Sequence, residues 1–199
     1  MNKISVFIYV SVDGFFAGPH GEIDWFKEIG HDEEFDSYTH KNAKSGSTLL
    51  FGRTTYEMMK SYWPTPQAMS SDPGMAAVMN DSRKIVFSRT LKSVDWKNVE
   101  LRPTIDRDEI IALKQQSDLT ILGSGSVVQQ IANLGLIDDY TLVVVPLILG
   151  NGKPLFNDVH KTNLALREAK SFRNGIVVLH YAPQRAAAAA TSPPSSPAP

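Results

Sequence analysis

Leu119-Thr-Ile-Leu-Gly-Ser-Gly-Ser-Val-Val-Gln-Gln-Ile-Ala-Asn133 is the stretch whose reading decides the fold. Leu119 to Leu122 form a short apolar run suited to a buried strand. Gly123 and Gly125 allow a tight turn and close approach of a ligand to bare backbone. Val127, Val128, Ile131, Ala132 and Leu134 then recur at helical spacing on one face. The first amides of such a helix have no internal partners and sit at the positive end of its dipole, so the turn can seat a phosphate. A single G-x-G is equally the mark of an ordinary strand-to-helix turn, and the rest of the chain has to decide between the two.

Two further segments repeat the theme. Thr48–Phe51 reads as a strand running into Gly52-Arg-Thr-Thr-Tyr-Glu57, a glycine followed by a helix start. Arg53 there offers a planar fork of donors suited to a phosphate monoester, and Thr54 and Thr55 add hydroxyls. Arg83 or Lys84 to Phe87 is a strand that ends in Ser88-Arg89, again a hydroxyl and a guanidinium. In open α/β sheets ligands bind at the carboxyl ends of strands, so three such ends are worth more than one.

Around these, the chain reads as alternating strands and helices. Ile4–Val12 is a strand leading into a loop with Asp13, Gly14, Gly18, Pro19 and Gly21, long enough to cover something. Asp32 caps a helix through about Lys44, ended by Ser45-Gly46. Pro64 to Gly74 reads as a loop because it holds three prolines, and a short helix follows around Met75–Asn80. Val99–Leu101 is a short strand, and Thr104 or Asp106 caps a helix through Gln116. Tyr140–Leu149 reads as a long strand interrupted by Pro146, and Leu164–Ala169 and Gly175–Ala182 as an antiparallel pair. The expected architecture is α/β: a central, mostly parallel sheet with antiparallel C-terminal edge strands and helices on both faces. Residues 1–183 make one domain, and 184–199, rich in Ala, Ser and Pro, read as a disordered tail outside it.

Composition narrows the function classes. The formal net charge of −1 argues against a general nucleic-acid or membrane-surface binder. The chain has no cysteine, which excludes disulfides, thiol nucleophiles and cysteine zinc sites and fits a cytoplasmic setting. Its histidines do not cluster at ligand spacing, so no metal is assigned.

The ordered set of motifs resembles the dihydrofolate reductase superfamily, and more closely the branch of the C-terminal reductase domain of the riboflavin-biosynthesis deaminase/reductase. The matching pieces are Ser11-Val-Asp-Gly-Phe-Phe-Ala-Gly18, Leu50-Phe-Gly-Arg-Thr-Thr-Tyr-Glu57, Ile85-Val-Phe-Ser-Arg89, Ile121-Leu-Gly-Ser-Gly-Ser126 and Val145-Pro-Leu-Ile-Leu-Gly-Asn-Gly-Lys-Pro-Leu-Phe156. They fall in the family's order over about residues 3–182. The resemblance implies a dihydrofolate reductase-like fold and an NADPH-dependent reductase that is often a homodimer through its late strands. It places the adenosine-side phosphates on Gly52, Arg53 and Thr55, the 2′-phosphate on Ser88 and Arg89, the pyrophosphate on Gly123, Ser124, Gly125 and Ser126, and the nicotinamide beside Ala17 and Gly18. Asp138 and Asp139 stand before the strand that follows the glycine turn and its helix, and so are poorly placed for the ribose contact of an NAD-type domain.

The implied chemistry is hydride transfer to a C=N or C=O carbon with proton delivery to the heteroatom. Asp36, on the helix before the Gly52-Arg53 strand, and Asp13 are the two candidates for proton donor; each is equally readable as a helix-start or turn residue. Trp25 and Trp63 could wall a flat heterocycle, and Lys153 could meet a substrate phosphate. The expected substrate is a pyrimidine- or pterin-like heterocycle. 5-Amino-6-(5-phosphoribosylamino)uracil is the nearest named one and dihydrofolate the second. A non-catalytic NADP-binding protein is the alternative of a different class. The chain lacks the family's zinc deaminase part, which its missing cysteines could not build.

Overall fold

The computed structural model describes residues 1–43 and 46–184. The expected end of the first helix at Lys44-Ser45 and the tail from residue 185 onward lie outside the described residues. The strands are β1 (Ile4–Ser11), β2 (Phe15–Ala17), β3 (Thr48–Gly52), β4 (Lys84–Phe87), β5 (Val99–Arg102), β6 (Leu119–Leu122), β7 (Asp139–Val145), β8 (Lys153–Pro154), β9 (Leu164–Ser171) and β10 (Val177–Pro183). The α-helices are α1 (Glu33–Asn42), α2 (Arg53–Tyr62), α3 (Pro66–Ser71), α4 (Pro73–Asp81), α5 (Arg107–Gln116) and α6 (Gly125–Asn133).

Eight strands form one sheet in the order β5-β4-β3-β6-β1-β7-β10-β9. The first six pair in parallel, and β10 runs antiparallel to both β7 and β9. The expected class holds. β1 alternates strictly, and its Ile4, Val6, Ile8 and Val10 are buried against α5 and α6 through Ile110, Leu113, Val127, Val128 and Ile131. The opposite face is covered by two separate helical groups. Tyr56 of α2 and Met79 of α4 pack on Leu49, Phe51 and Val86, whereas Phe35 of α1 packs on Val143, Phe172 and Val178.

The structure differs from the sequence reading in several places. Residues 64–74 are not one loop: α3 starts at Pro66, with the Thr65 hydroxyl accepting from the Ala68 amide, and α4 starts at Pro73 under Asp72. Proline suits the first helical position, where its missing N–H is no loss. β7 stops at Val145, because Pro146 cannot donate to the ladder. β7 and β10 are interior strands, so the free edge on this side belongs to β9, most of whose residues are exposed. The small β2–β8 sheet has no counterpart in the sequence reading; Phe15 pairs with Pro154 and Ala17 with Lys153.

Candidate active site

The three strand ends singled out by their donors are neighbours. β4, β3 and β6 stand side by side, so Ser88, Gly52 and Gly123 follow their carboxyl ends on one edge, with Ser11 of β1 next in line. The turns are tied together directly. The Gly52 N–H donates to the Ser124 hydroxyl at 2.9 Å, and the Thr55 hydroxyl donates to the Gly123 carbonyl at 3.4 Å. Gly123 has φ +67°, the left-handed region that favours glycine.

Capping shows what this edge is for. Helices α1, α3, α4 and α5 each have a side chain, Asp32, Thr65, Asp72 or Asp106, accepting from their first amides. Helices α2 and α6 have none, and no acidic residue stands in either first turn. Ser124 occupies the capping position of α6 but accepts the Gly52 amide instead. Two uncapped helix starts therefore sit side by side with their amides and positive dipole ends toward the same edge, an arrangement suited to an anion.

Arg53 opens α2 with its side chain half-exposed and 3.7 Å from Glu57. Thr54 is exposed beside it. The Ser88 hydroxyl accepts the Thr90 and Leu91 amides, so its first task is to shape the turn after β4. Arg89 is exposed in that turn and makes no ion pair among the described residues. These two guanidiniums supply positive charge at the ends of adjacent strands.

The first loop closes over the same edge. Ser11 orders it: its hydroxyl donates to the Asp13 carboxylate at 2.6 Å and accepts the Phe15 amide at 3.0 Å. The Asp13 carboxylate also accepts the Leu149 amide at 3.2 Å and the Gly150 amide at 2.8 Å. These bonds, the Ser11 hydroxyl first, hold its carboxyl below the usual carboxylate range, so it is ionised at neutral pH. Asp13 thus latches the loop to the turn after β7. Phe16 lies flat on the start of α6: a Cβ added to Gly125 would stand 2.3 Å from its ring. Ala17 is buried in the β2–β8 sheet, and Gly18 is closed by a 2.8 Å bond from its amide to the Glu22 carbonyl. Lys153 pairs with Ala17, and its ammonium lies 3.2 Å from where a Cβ of Gly21 would be, which brings it to this loop.

Asp36 stands elsewhere, on α1 over the sheet face. It is half-exposed and 3.0 Å from His31. Burial, aided by the Asp36 charge, pushes the Tyr9 phenol up to about 12, so the carboxylate faces the carboxyl half of β1. Trp25 is buried in the 3-10 turn Asp24–Glu28. Trp63 joins the α2–α4 cluster and donates its indole N–H to the Met59 sulfur at 3.2 Å. The structure therefore brings together the glycine turns, the two arginines' strand ends, the first loop and Lys153, and sets both tryptophans in packing positions. Asp138 and Asp139 lie at the opposite, amino end of the sheet, where Asp138 accepts the Ile4 amide and Asp139 pairs with Lys3. Sequence reasoning missed Ser11 and Phe16 as organising residues; the signal for Ser11 is a hydroxyl that breaks the apolar end of β1. Among the described residues no group of three His, Cys, Asp or Glu is placed to hold a metal, and no helix is long and apolar enough to cross a membrane.

A mostly parallel sheet with an antiparallel edge, and a phosphate-type seat at its carboxyl ends, define a dihydrofolate reductase-like α/β domain. Residues 2–178 match the family described as RibD C-terminal domain, and the chain belongs to that family, which implies reductase activity. It is 30% identical over 182 residues to the uncharacterized protein YyaP of Bacillus subtilis (strain 168), covering 90% of this chain and 94% of that one. The uncharacterized protein YwjB of the same organism is also 30% identical over 182 residues, covering 90% and 97%. Among solved structures, a putative riboflavin biosynthesis protein from Shewanella sp. PV-4 superposes with a TM-score of 0.74 at 22% identity, over 92% of this chain and 99% of that one. A pyrimidine reductase-like protein from Corynebacterium diphtheriae gives 0.63 at 17% identity, with 93% of each chain covered. The diaminohydroxyphosphoribosylaminopyrimidine deaminase/5-amino-6-(5-phosphoribosylamino)uracil reductase of Thermotoga maritima gives 0.62 at 16%, over 92% of this chain and 57% of that one.

Proposed function

We propose that this protein is an NADPH-dependent reductase of a small pyrimidine- or pterin-like heterocycle, related in chemistry to the reduction of 5-amino-6-(5-phosphoribosylamino)uracil. The observation that carries the reading is the pair of neighbouring helix starts, α2 and α6, left uncapped beneath Arg53 and Arg89. The residues fit the cofactor. Gly123, Ser124 and the Ser126 amide would take the pyrophosphate, the Gly52–Thr55 turn the adenosine-side phosphate, and Arg89 with Ser88 the 2′-phosphate. Arg53 and Arg89 favour a phosphate on the ribose, hence NADPH over NADH.

NADPH when bound supplies a hydride. The chain's own residues align and enclose the reactants. The Asp13 latch holds Ala17 and Gly18 where the nicotinamide would lie. Lys153 beside them offers a cation to a substrate phosphate. Asp13, ionised and engaged on three bonds, serves position rather than proton delivery. Asp36, with His31 beside it, is the carboxyl with access to solvent protons and the sheet face. We also propose a homodimer that covers the free edge of β9, where Leu166 is exposed, since open edges invite pairing. We place the work in the cytoplasm, which a cysteine-free chain suits.

The test is a titration with NADPH and then NADH, followed by tryptophan quenching, repeated on Arg53→Ala and Arg89→Ala. The expected result is tighter NADPH binding that the variants lose, with NADH binding little changed. No saturable binding of either nucleotide overturns the reading. A monomeric mass in light scattering overturns the dimer.

A further inference from the structure

The sheet face between the two helical groups is not closed. Between α1 and α4 lies a cleft of about 280 Å³ over the amino halves of β6, β1 and β7. A strand buried in a parallel sheet is expected to be apolar on both faces. The far face of β1 obeys, with Ile4, Val6, Ile8 and Val10. The cleft face does not: Ser5, Thr120 and Thr141 put hydroxyls on three adjacent strands. Ser5 stands opposite Thr120, and Thr141 is one row further along, opposite Phe7. None of these hydroxyls has a hydrogen-bond partner in the protein among the described residues, and half-buried hydroxyls are costly unless water or a ligand meets them.

The walls are apolar and flat. Phe7, Leu49 and Leu122 rise from the sheet, and Tyr38 faces Met75 and Met79 across the opening. The rim carries an excess of negative charge, with Asp118, Asp139 and Glu168 against Lys3. Lys3 is already committed, its ammonium to Asp139 at 2.7 Å and its amide to Asp118 at 2.8 Å. This is the opposite polarity to the edge where Arg53 and Arg89 stand. Ser5 is six residues of strand from Ser11, about 20 Å at strand rise, so the cleft is separate from the proposed cofactor seat.

We infer that this cleft is a second small-molecule site, taking a flat nitrogen base, neutral or cationic, whose polar edge meets Ser5, Thr120 and Thr141 while its faces lie between Phe7 and Tyr38. Its volume lies just under the roughly 300–1,000 Å³ of sites for drug-sized ligands, so the ligand is a bicyclic or smaller amine rather than a nucleotide. An anion of the same shape is excluded by the carboxylates.

The test titrates 2-aminobenzimidazole into isotopically labelled full-length protein and follows amide resonances. The expected result is a saturable shift centred on Ser5, Phe7, Thr120 and Thr141. Thr120→Val and Thr141→Val remove hydroxyls that bond nothing in the protein, at nearly constant shape. Each is expected to weaken binding about fivefold, the size of one hydrogen bond. NADPH titration of the double variant is expected to match wild type. Benzimidazole-2-carboxylate is expected to give no saturable shift. No saturable shift with the amine up to millimolar concentration, equal affinity in the double variant, or equal binding of the carboxylate overturns the inference. So does a cleft occupied by a second copy of the chain, seen as amine shifts that appear only on dilution.

Discussion

Gly152→Ala is the substitution that best probes how the first loop is held. A Cβ there would lie 2.4 Å from the Ala17 carbonyl oxygen and 3.2 Å from the Phe15 side chain. A carbon and a carbonyl oxygen rest at about 3.3 Å or more, so β2 and β8 must part by roughly 1 Å. The obstacle is backbone, which cannot swing aside as a side-chain tip does. Overfilling of this kind costs about 1–3 kcal/mol. The same movement strains the pairs Phe15–Pro154 and Ala17–Lys153 and the bond from the Leu155 amide to the Gly14 carbonyl. Urea unfolding measures the first effect and NADPH titration the second. Gly135→Ala is the control. Gly135 has φ +68° and nothing within 4 Å of the added carbon, so it carries only the left-handed penalty of about 1–2 kcal/mol, far from the loop. We expect both variants to lose stability and only Gly152→Ala to lose affinity. Wild-type stability in Gly152→Ala, or an equal loss of affinity in both variants, would refute the reasoning.

Other outcomes follow from the core. Phe51 is fully buried and stacked on Trp96 at 6.3 Å, so Phe51→Ala should lower unfolding free energy by about 3–5 kcal/mol in a denaturant titration. The buried Lys84 ammonium donates to the carbonyls of Asn80, Ser82 and Lys97, and burial pushes its pKa down to about 8. The unfolded chain then binds more protons between about pH 8 and the ordinary lysine value. Stability contributed by this group should therefore rise with pH across that window, by about 1–3 kcal/mol, and the rise should vanish in Lys84→Met. Tyr9 and Tyr140 act in the reverse sense. Burial holds both phenols up at about 12, so stability should fall as pH climbs from 10 toward 12, and Tyr140→Phe should blunt the fall in pH-dependent unfolding curves.

Much of the fold was legible because its signals are local. β1 alternates, β6 and α6 flank a glycine turn, and Asp32 and Asp106 cap the helices they precede. What escaped reading depends on contacts distant in sequence or on ambiguous residues. Prolines at 66 and 73 look like loop markers, yet each fills a first helical position that a preceding Thr or Asp caps. β2 and β8 are too short to show a period, and exist because two loops separated by some 135 residues meet at the Asp13 latch. The phosphate-type seat was readable from composition at strand ends. The adjacency of those ends was not, because strand order is a property of the sheet.

That order has a consequence for how the molecule is made. β1 lies between β6 and β7, with Ile4 opposite Leu119 and Ser11 opposite Val145. The first strand to leave the ribosome therefore waits for more than a hundred residues before its neighbours exist. At about 5–20 residues per second this is roughly 6–25 s, during which the aliphatic face of Ile4, Val6, Ile8 and Val10 has no permanent cover. Nascent chains arrested before residue 119 should be open to protease throughout, and those released past 145 should become resistant in a single step. In the cell such a strand is a natural client for a chaperone that binds aliphatic segments at the tunnel exit.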